Sequence, residues 1–412
     1  MGDVLQRIQE AQFTDRLHAE RMLVSLVRKL FPLDVARAEL RPLEVSLNSF
    51  NGFLTLGDGT QLFFKTHTES DTVIDEYYNA AMLAKAGYPV LQPIYSSTEV
   101  GRQFLVYELI VDPSVFDVAW AIECGDGRAM GALSDAQHAG DRQIQHIYRN
   151  TLGWQAADAA ANAPVHQLFW HRLAGGRLER FLHETRAIGL PDGNFPLALV
   201  RSAQWTINGQ RYEESLDELI GSAITLLNPA QPGPSVVGHG DAHNGNVFLR
   251  EDLGTLLYFD PAFAGRHDPL LDLAKPLFHN VFASWMYFPA VKRNETSVQM
   301  RYQGGRFHVE HNYCLHPVRL MFLRSKIDNV LFPLLRELHR RGWLRPDWRR
   351  YLKAALLCCP LLTVNLADPL RMPPEISLLG LATTVEMGAN SAGKRSLIDQ
   401  ALDDIQDRLP VM

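Results

Sequence analysis

The chain has 412 residues, 46% apolar and 21% charged, with a formal net charge of −6. That is the balance of an ordinary globular protein, and the length exceeds what one small core organises, so two lobes are expected. The charge excludes a basic footprint for nucleic acid or an acidic membrane surface.

The first thirty residues interleave acids and bases with apolar positions and lack the apolar core of a leader peptide. No window reaches the roughly eighteen uncharged apolar residues that a membrane span needs. Cys124, Cys314, Cys358 and Cys359 show no zinc-type spacing, and the adjacent pair is poorly placed to bridge. They read as reduced thiols of a cytoplasmic protein.

Residues 1–40 read as a helical extension. Phe13, Leu17, Leu23, Leu26, Val27, Leu30 and Phe31 recur at helical spacing, and Pro32 ends the run. From Pro42 the pattern turns to strands. Phe53 to Leu56 and Gln61 to Lys65 flank Gly57-Asp58-Gly59, a hairpin signature that puts Phe63 and Lys65 on one face. A helix follows, opened by Thr72 and Asp75 in a capping-box-like pair and closed by Gly87 and Pro89, with Glu76 near its start. Leu91 to Tyr95 and Gln103 to Leu109 read as two further strands.

Residues 111–165 have weak periodicity and are expected to be helical without clear bounds. Residues 166–229 read as mostly helical, and Gln231-Pro232-Gly233-Pro234 breaks the chain. Then come a strand at Val236 to Gly238, a polar loop, a strand at Val247 to Leu249 and another at Thr255 to Phe259. From Leu270 onward the pattern is chiefly helical. The expected architecture is α+β: residues 41–110 a small antiparallel N-lobe, residues 111–412 a larger, mainly helical C-lobe.

The densest polar cluster is His239-Gly240-Asp241-Ala242-His243-Asn244-Gly245-Asn246, set between two apolar strands. Such a loop is costly unless its side chains pair with one another or with ligands. Phosphoryl transfer accounts for the spacing. It needs a carboxylate to orient and deprotonate a hydroxyl, and oxygen ligands for Mg2+ on the nucleotide phosphates. Asp241, Asn246 five residues on, and Asp260 at the end of the next strand fit base and metal ligands in that order. His239 reads as structural rather than catalytic, whereas His243 reads equally as facing phosphates or substrate. A metallohydrolase built on His239-x-Asp241-x-His243 lacks further ligands at readable spacing.

Residues 239–246 resemble the catalytic loop of the aminoglycoside phosphotransferase and choline kinase superfamily, written H-G-D-x-x-x-x-N. The stretch from Phe259-Asp260 through Gly265-Arg266-His267-Asp268 to Asp272-Leu273-Ala274 is similar to that family's metal loop and following helix start. The resemblance spans residues 43–280 in outline and is specific over 237–249 and 256–275. It implies a bilobal, protein-kinase-like fold that sandwiches ATP with Mg2+. It implies that Lys65 holds the α- and β-phosphates, steadied by Glu76. It implies that Tyr107, Glu108 and Leu109 form the hinge whose backbone bonds adenine, and that Ser46, Asn48 and Ser49 belong to the phosphate-covering loop, with His243 a further nucleotide contact.

Two departures stand out. The loop 46–52 has one glycine, Gly52, where protein kinases have three, and Pro261-Ala262 stands where they have Phe-Gly. The second argues against a protein kinase switched by that motif. The expected activity is a kinase acting on a hydroxyl of a small molecule such as a sugar, amino alcohol or aminoglycoside-like acceptor. Alternatives are a pseudokinase that binds nucleotide without turnover and a nucleotidyl transferase. The acceptor is not legible. Trp170, His171, Arg172, Trp285, Tyr287, His308 and His311 lie in the stretches expected to build its pocket, and the cationic balance of 276–330 leans toward a neutral or anionic metabolite. No nucleic-acid or membrane partner is expected; a homodimer through residues 1–40 stays open.

Overall fold

The computed structural model describes residues 4–41, 50–66, 75–97, 99 and 102–409. The chain divides into two units, one of residues 1–112 with 257–262, the other of residues 113–256 with 263–412.

The smaller unit has a five-stranded antiparallel sheet with its first two helices packed on one face. Helices α1 (Val4–Ala11) and α2 (Arg16–Leu30) lead into β1 (Val35–Leu40), β2 (Asn51–Leu56), β3 (Gln61–Thr66), α3 (Asp75–Ala86), β4 (Tyr95–Ser97) and β5 (Phe104–Glu108). The sheet order is β1-β2-β3-β5-β4. Asp15 caps α2 by accepting from the His18 N–H at 3.0 Å, a bond worth about 1 kcal/mol. Leu5, Ile8, Leu23 and Val27 of the two helices share one buried cluster with Leu54, Phe64, Phe104 and Val106 of the sheet. Each such side chain contributes about 1.5–3 kcal/mol by leaving water. Residues 1–40 are therefore partly strand: Val35–Leu40 pairs with β2 over the register Val35↔Leu56 to Leu40↔Gly52. Its Ala, Arg, Glu and Leu are good helix formers, and edge pairing overrides that preference.

The larger unit is mainly helical. Helix α4 (Val115–Glu123) is capped by Ser114, and α5 (Met130–Thr151) is the longest helix among the described residues. Strand β6 (Gly153–Gln155) edges a three-stranded sheet in which Gly233–Gly238 is central and Gly265–His267 is the other edge. Helices Pro269–His279, Trp348–Thr363 and Pro374–Gly388 are almost wholly buried. The stretches read as helical also hold a second five-stranded sheet, of Gln204–Ile207, Gln210–Tyr212, Val298–Gln303, Arg306–His311 and Ala392–Gly393. Its inner hairpin turns at Asn208-Gly209, both at positive φ, which is the two-residue turn that matches strand twist.

No helix among the described residues is long and apolar enough to cross a membrane.

Candidate active site

In the smaller unit, alternation along β3 decides what Lys65 does. Leu62, Phe64 and Thr66 face the helical core, so Phe63 and Lys65 face the other way. Opposite them on β5 stand Tyr107 and Leu105, with Phe53 on β2 opposite Phe63. The Phe63 ring lies 6.0 Å from Phe53 and 6.3 Å from Tyr107, centroid to centroid. The face turned away from α1 and α2 is thus an aromatic floor ending in a cation. Lys65 Nζ donates to Asp260 Oδ1 at 2.7 Å. Asp260 has φ +53°, a left-handed conformation that costs a non-glycine residue energy but is tolerated by aspartate. Asn79 of α3 fixes the next residue by donating its Nδ2 to the Pro261 carbonyl at 3.1 Å. Glu76 falls in the first turn of α3, and its side chain lies outside the described residues. Ser46, Asn48 and Ser49 also lie outside them. Glu108 is exposed at the end of β5, and Leu109 follows it half-buried.

In the larger unit, the loop after Gly233–Gly238 is held from below by one helix face. Asp268, Asp272, Lys275 and His279 follow each other at spacings of four, three and four along Pro269–His279 and so project to one side. Asp268 caps the helix by accepting from the Leu270 N–H at 2.8 Å, and burial lifts its carboxyl to about 6. Asp272 accepts from the Gly240 N–H at 2.5 Å, from His267 at 3.0 Å and from the Tyr148 hydroxyl. Its burial alone would raise its carboxyl; the hydrogen bonds from His267, Tyr148 and Gly240 and the His267 charge outweigh that and hold it below the usual carboxylate range. Such close packing tolerates no side chain at two positions. A Cβ on Gly238 would meet the Asp272 carboxyl at 2.6 Å, and one on Gly240, at φ +80°, would meet the Phe263 carbonyl oxygen at 2.3 Å.

This frame presents Asp241. Its N–H donates to His239 Nδ1 at 3.4 Å, and His239 is fully buried. The Asp241 carbonyl accepts from the His243 N–H at 2.8 Å and from Asn246 Nδ2 at 3.0 Å. Asn246 thereby commits its amide nitrogen to the loop and keeps its amide oxygen for another partner. His243 accepts from the Gly245 N–H on Nδ1 at 3.0 Å, which places its proton on Nε2, 4.0 Å from Asp241 Oδ2. Asp241 Oδ1 is buried and accepts no hydrogen bond among the described residues. The nearest cation is Lys275, whose Nζ is 3.8 Å away.

Lys275 and His279 were not singled out from the sequence. Lys275 Nζ lies 3.3 Å from His279 Nε2, and His279 Nδ1 lies 2.8 Å from the Tyr287 hydroxyl. Burial first, then the charges of Lys275 and His243, push His279 well below the usual histidine range, so it is neutral at pH 7. A neutral ring that accepts from Lys275 carries its proton on Nδ1 and donates it to Tyr287. Burial, then the Asp241 charge, hold the Tyr287 hydroxyl above the usual tyrosine range. The available signal was the helical spacing from Asp272 to Lys275 to His279. Of the aromatic and histidine residues expected around an acceptor, Trp285 is wholly buried in the core, and His308 and His311 belong to the second sheet. Among the described residues no group of three His, Cys, Asp or Glu side chains forms a metal cage.

The sequence model of the phosphotransferase enzyme family matches residues 39–292, more than half of the chain. The chain belongs to the phosphotransferase enzyme family. Phosphoryl transfer is the class of chemistry of that family. A comparison with curated proteins found no match. Among solved structures, an amicoumacin kinase in complex with AMP-PNP, Ca2+ and Ami is 14% identical, with a TM-score of 0.50 over 91% of this chain and 96% of that one. A spectinomycin phosphotransferase in complex with ADP and spectinomycin is 13% identical, with a TM-score of 0.43 over 89% and 98%. An ethanolamine kinase of Plasmodium vivax is 9% identical, with a TM-score of 0.45 over 90% and 88%. At these identities the likeness is one of fold, and the fold is α+β and protein-kinase-like.

Proposed function

We propose that the phosphotransferase moves the γ-phosphate of ATP to a hydroxyl of a small molecule, with Asp241 as the base. The observation that carries this reading is the Asp241 carboxylate itself. It is held in a braced loop with one buried oxygen that accepts no hydrogen bond among the described residues and stands 3.8 Å from Lys275 Nζ. The side chain is 16% exposed, so a substrate hydroxyl could donate to the carboxylate at its accessible edge. In the step, the hydroxyl oxygen bonds to the γ-phosphorus and its proton passes to Asp241. The bond from the γ-phosphorus to the bridging oxygen breaks, and ADP leaves.

Lys65 supplies the charge for the nucleotide phosphates, and Ser46, Asn48 and Ser49 supply donors to them. The aromatic floor of Phe53, Phe63 and Tyr107 suits a flat base, with the backbone of Glu108 and Leu109 for its edge. Glu76 steadies Lys65, and His243 is a further contact for the nucleotide phosphates or the substrate. The oxygen donors Asn246 and Asp260 suit Mg2+, which binds through one or two protein ligands and substrate phosphates rather than a full protein cage. When bound, the ion would offset phosphate charge.

The test is product analysis with Mg-ATP and a panel of sugars, amino alcohols, hydroxy acids and aminoglycosides. Acceptor-stimulated release of ADP is expected. Release of pyrophosphate instead would replace this reading with nucleotidyl transfer, and ATP binding without any turnover across the panel would favour a pseudokinase.

A further inference from the structure

The residues just before the second sheet form a basic hollow in the larger unit. The short helices Trp170–Ala174 and Arg177–Leu182 meet at Gly175-Gly176, where Gly176 has φ +90°. The turn brings Arg172, Arg177 and Arg180 to the lining of one open cavity of about 500 Å3, with His171, Gln167 and Phe263. Arg177 Nη1 donates to the Leu362 carbonyl at 3.2 Å, which fixes its head. Among the described residues no carboxylate pairs with any of the three; Glu179, the nearest acid in sequence, is bridged to His183 at 2.7 Å. The chain as a whole is acidic, at −6, so three unmatched guanidinium groups in one concavity are a local feature.

The hollow adjoins the catalytic loop. Its wall residue Phe263 places its carbonyl oxygen against Gly240, the residue before Asp241. Burial depresses Arg172, and the Asp241 charge is the first influence that offsets it. Burial, then Arg172 and Arg180, also depress Arg177. Arg177 thus feels both neighbouring cations, and among the described residues no carboxylate is paired with any of the three, an arrangement that a bound anion would relieve.

We infer that the acceptor is an anionic hydroxy compound, bearing a carboxylate or phosphate that Arg172, Arg177 and Arg180 hold beside Asp241. This rests on the reading of Asp241 as the base. Guanidinium forks match the planar carboxylate and the phosphate oxygens in two-point contacts. The same charges repel a polycationic acceptor of the aminoglycoside type.

The experiment is saturation-transfer NMR on the full chain with matched pairs: gluconate against glucitol, glycerate against glycerol, ribose 5-phosphate against ribose, and kanamycin as the cationic contrast. Binding of at least one anionic member in preference to its neutral partner is expected. Arg180 is exposed, so Arg180→Ala and Arg180→Glu leave the packing alone; they should weaken that anion about tenfold or more. Equal or better binding of the neutral or cationic probes, no anion binding at millimolar concentration, or anion binding unaltered by Arg180→Glu would each overturn the inference. A loss of ATP affinity in Arg180→Glu would also overturn it, by assigning the arginines to nucleotide phosphates. The measurement needs no turnover. It therefore fails separately from the base assignment, which ADP release by Asp241 variants reports.

Discussion

Lys275 Nζ stands 3.8 Å from Asp241 Oδ1. The ammonium is almost fully buried and is turned toward the carboxylate on one side and a neutral His279 on the other. With Asp241 as the proposed base, a fixed cation at this position would lie where negative charge passes from hydroxyl to phosphate, without solvent reorganisation. Lys275→Met should lower kcat by about one to two orders of magnitude while the affinity for ATP changes little. Steady-state kinetics with nucleotide titration checks this. A variant with ordinary kcat would reduce Lys275 to a structural residue.

Asp272 is the brace beneath the loop, and its three donors identify the cost of removing its charge. Asp272→Asn should destabilise the fold by about 2–4 kcal/mol in urea unfolding, because an amide cannot accept from Gly240, His267 and Tyr148 as the carboxylate does. Tyr148→Phe deletes one of those bonds and should cost about 1–2 kcal/mol. Similar small losses in both would mean the loop is held by other means.

Asp260 accepts from Lys65 and is proposed as a ligand of Mg2+. Asp260→Asn should raise the Mg2+ concentration for half-maximal rate about tenfold or more, since the hard cation loses an anionic oxygen. Lys65→Met should instead raise the KM for ATP with the Mg2+ requirement little altered. The same metal dependence in Asp260→Asn as in the unaltered chain would remove that residue from the metal assignment.

His166 gives a pH signature. Burial lowers it to about 4 from 6.5, against a weaker opposing bond to the Ala160 carbonyl. Below pH 6.5 the unfolded chain takes up a proton that the folded chain refuses, so stability falls with pH until about 4. This group should cost about 2 kcal/mol between pH 8 and pH 5. In His166→Leu that part of the slope should vanish. An unchanged slope in unfolding experiments would contradict the assignment.

The sequence showed most where the geometry is local. Asp241 and Asn246 are five residues apart in one loop, and Lys65 owes its outward face to simple strand alternation, so both can be placed without tertiary knowledge. Lys275 could not be, because its meaning depends on the helix Pro269–His279 running beneath the loop from more than thirty residues away. The second sheet escaped for a similar reason. Its strands lie at residues 204–212, 298–311 and 392–393, and no single stretch reads as a sheet. Two short signals were nonetheless present: Asn208-Gly209 between Gln204–Ile207 and Gln210–Tyr212, and Gly304-Gly305 between Val298–Gln303 and Arg306–His311, all four residues at positive φ. Val35–Leu40 was hidden by its helix-forming residues, since its strand state comes from pairing with β2. The arginine hollow depends on a Gly-Gly turn between two helices too short to show periodicity.

The most direct measurement is single-turnover transfer by Asp241→Asn beside the unaltered chain, with ATP binding followed by calorimetry. Asparagine keeps the size of the side chain but cannot take the proton. The account predicts ATP affinity within about threefold of the unaltered chain and transfer slowed by at least about a hundredfold. Transfer at close to the ordinary rate, with ATP binding intact, would contradict it and move the base elsewhere.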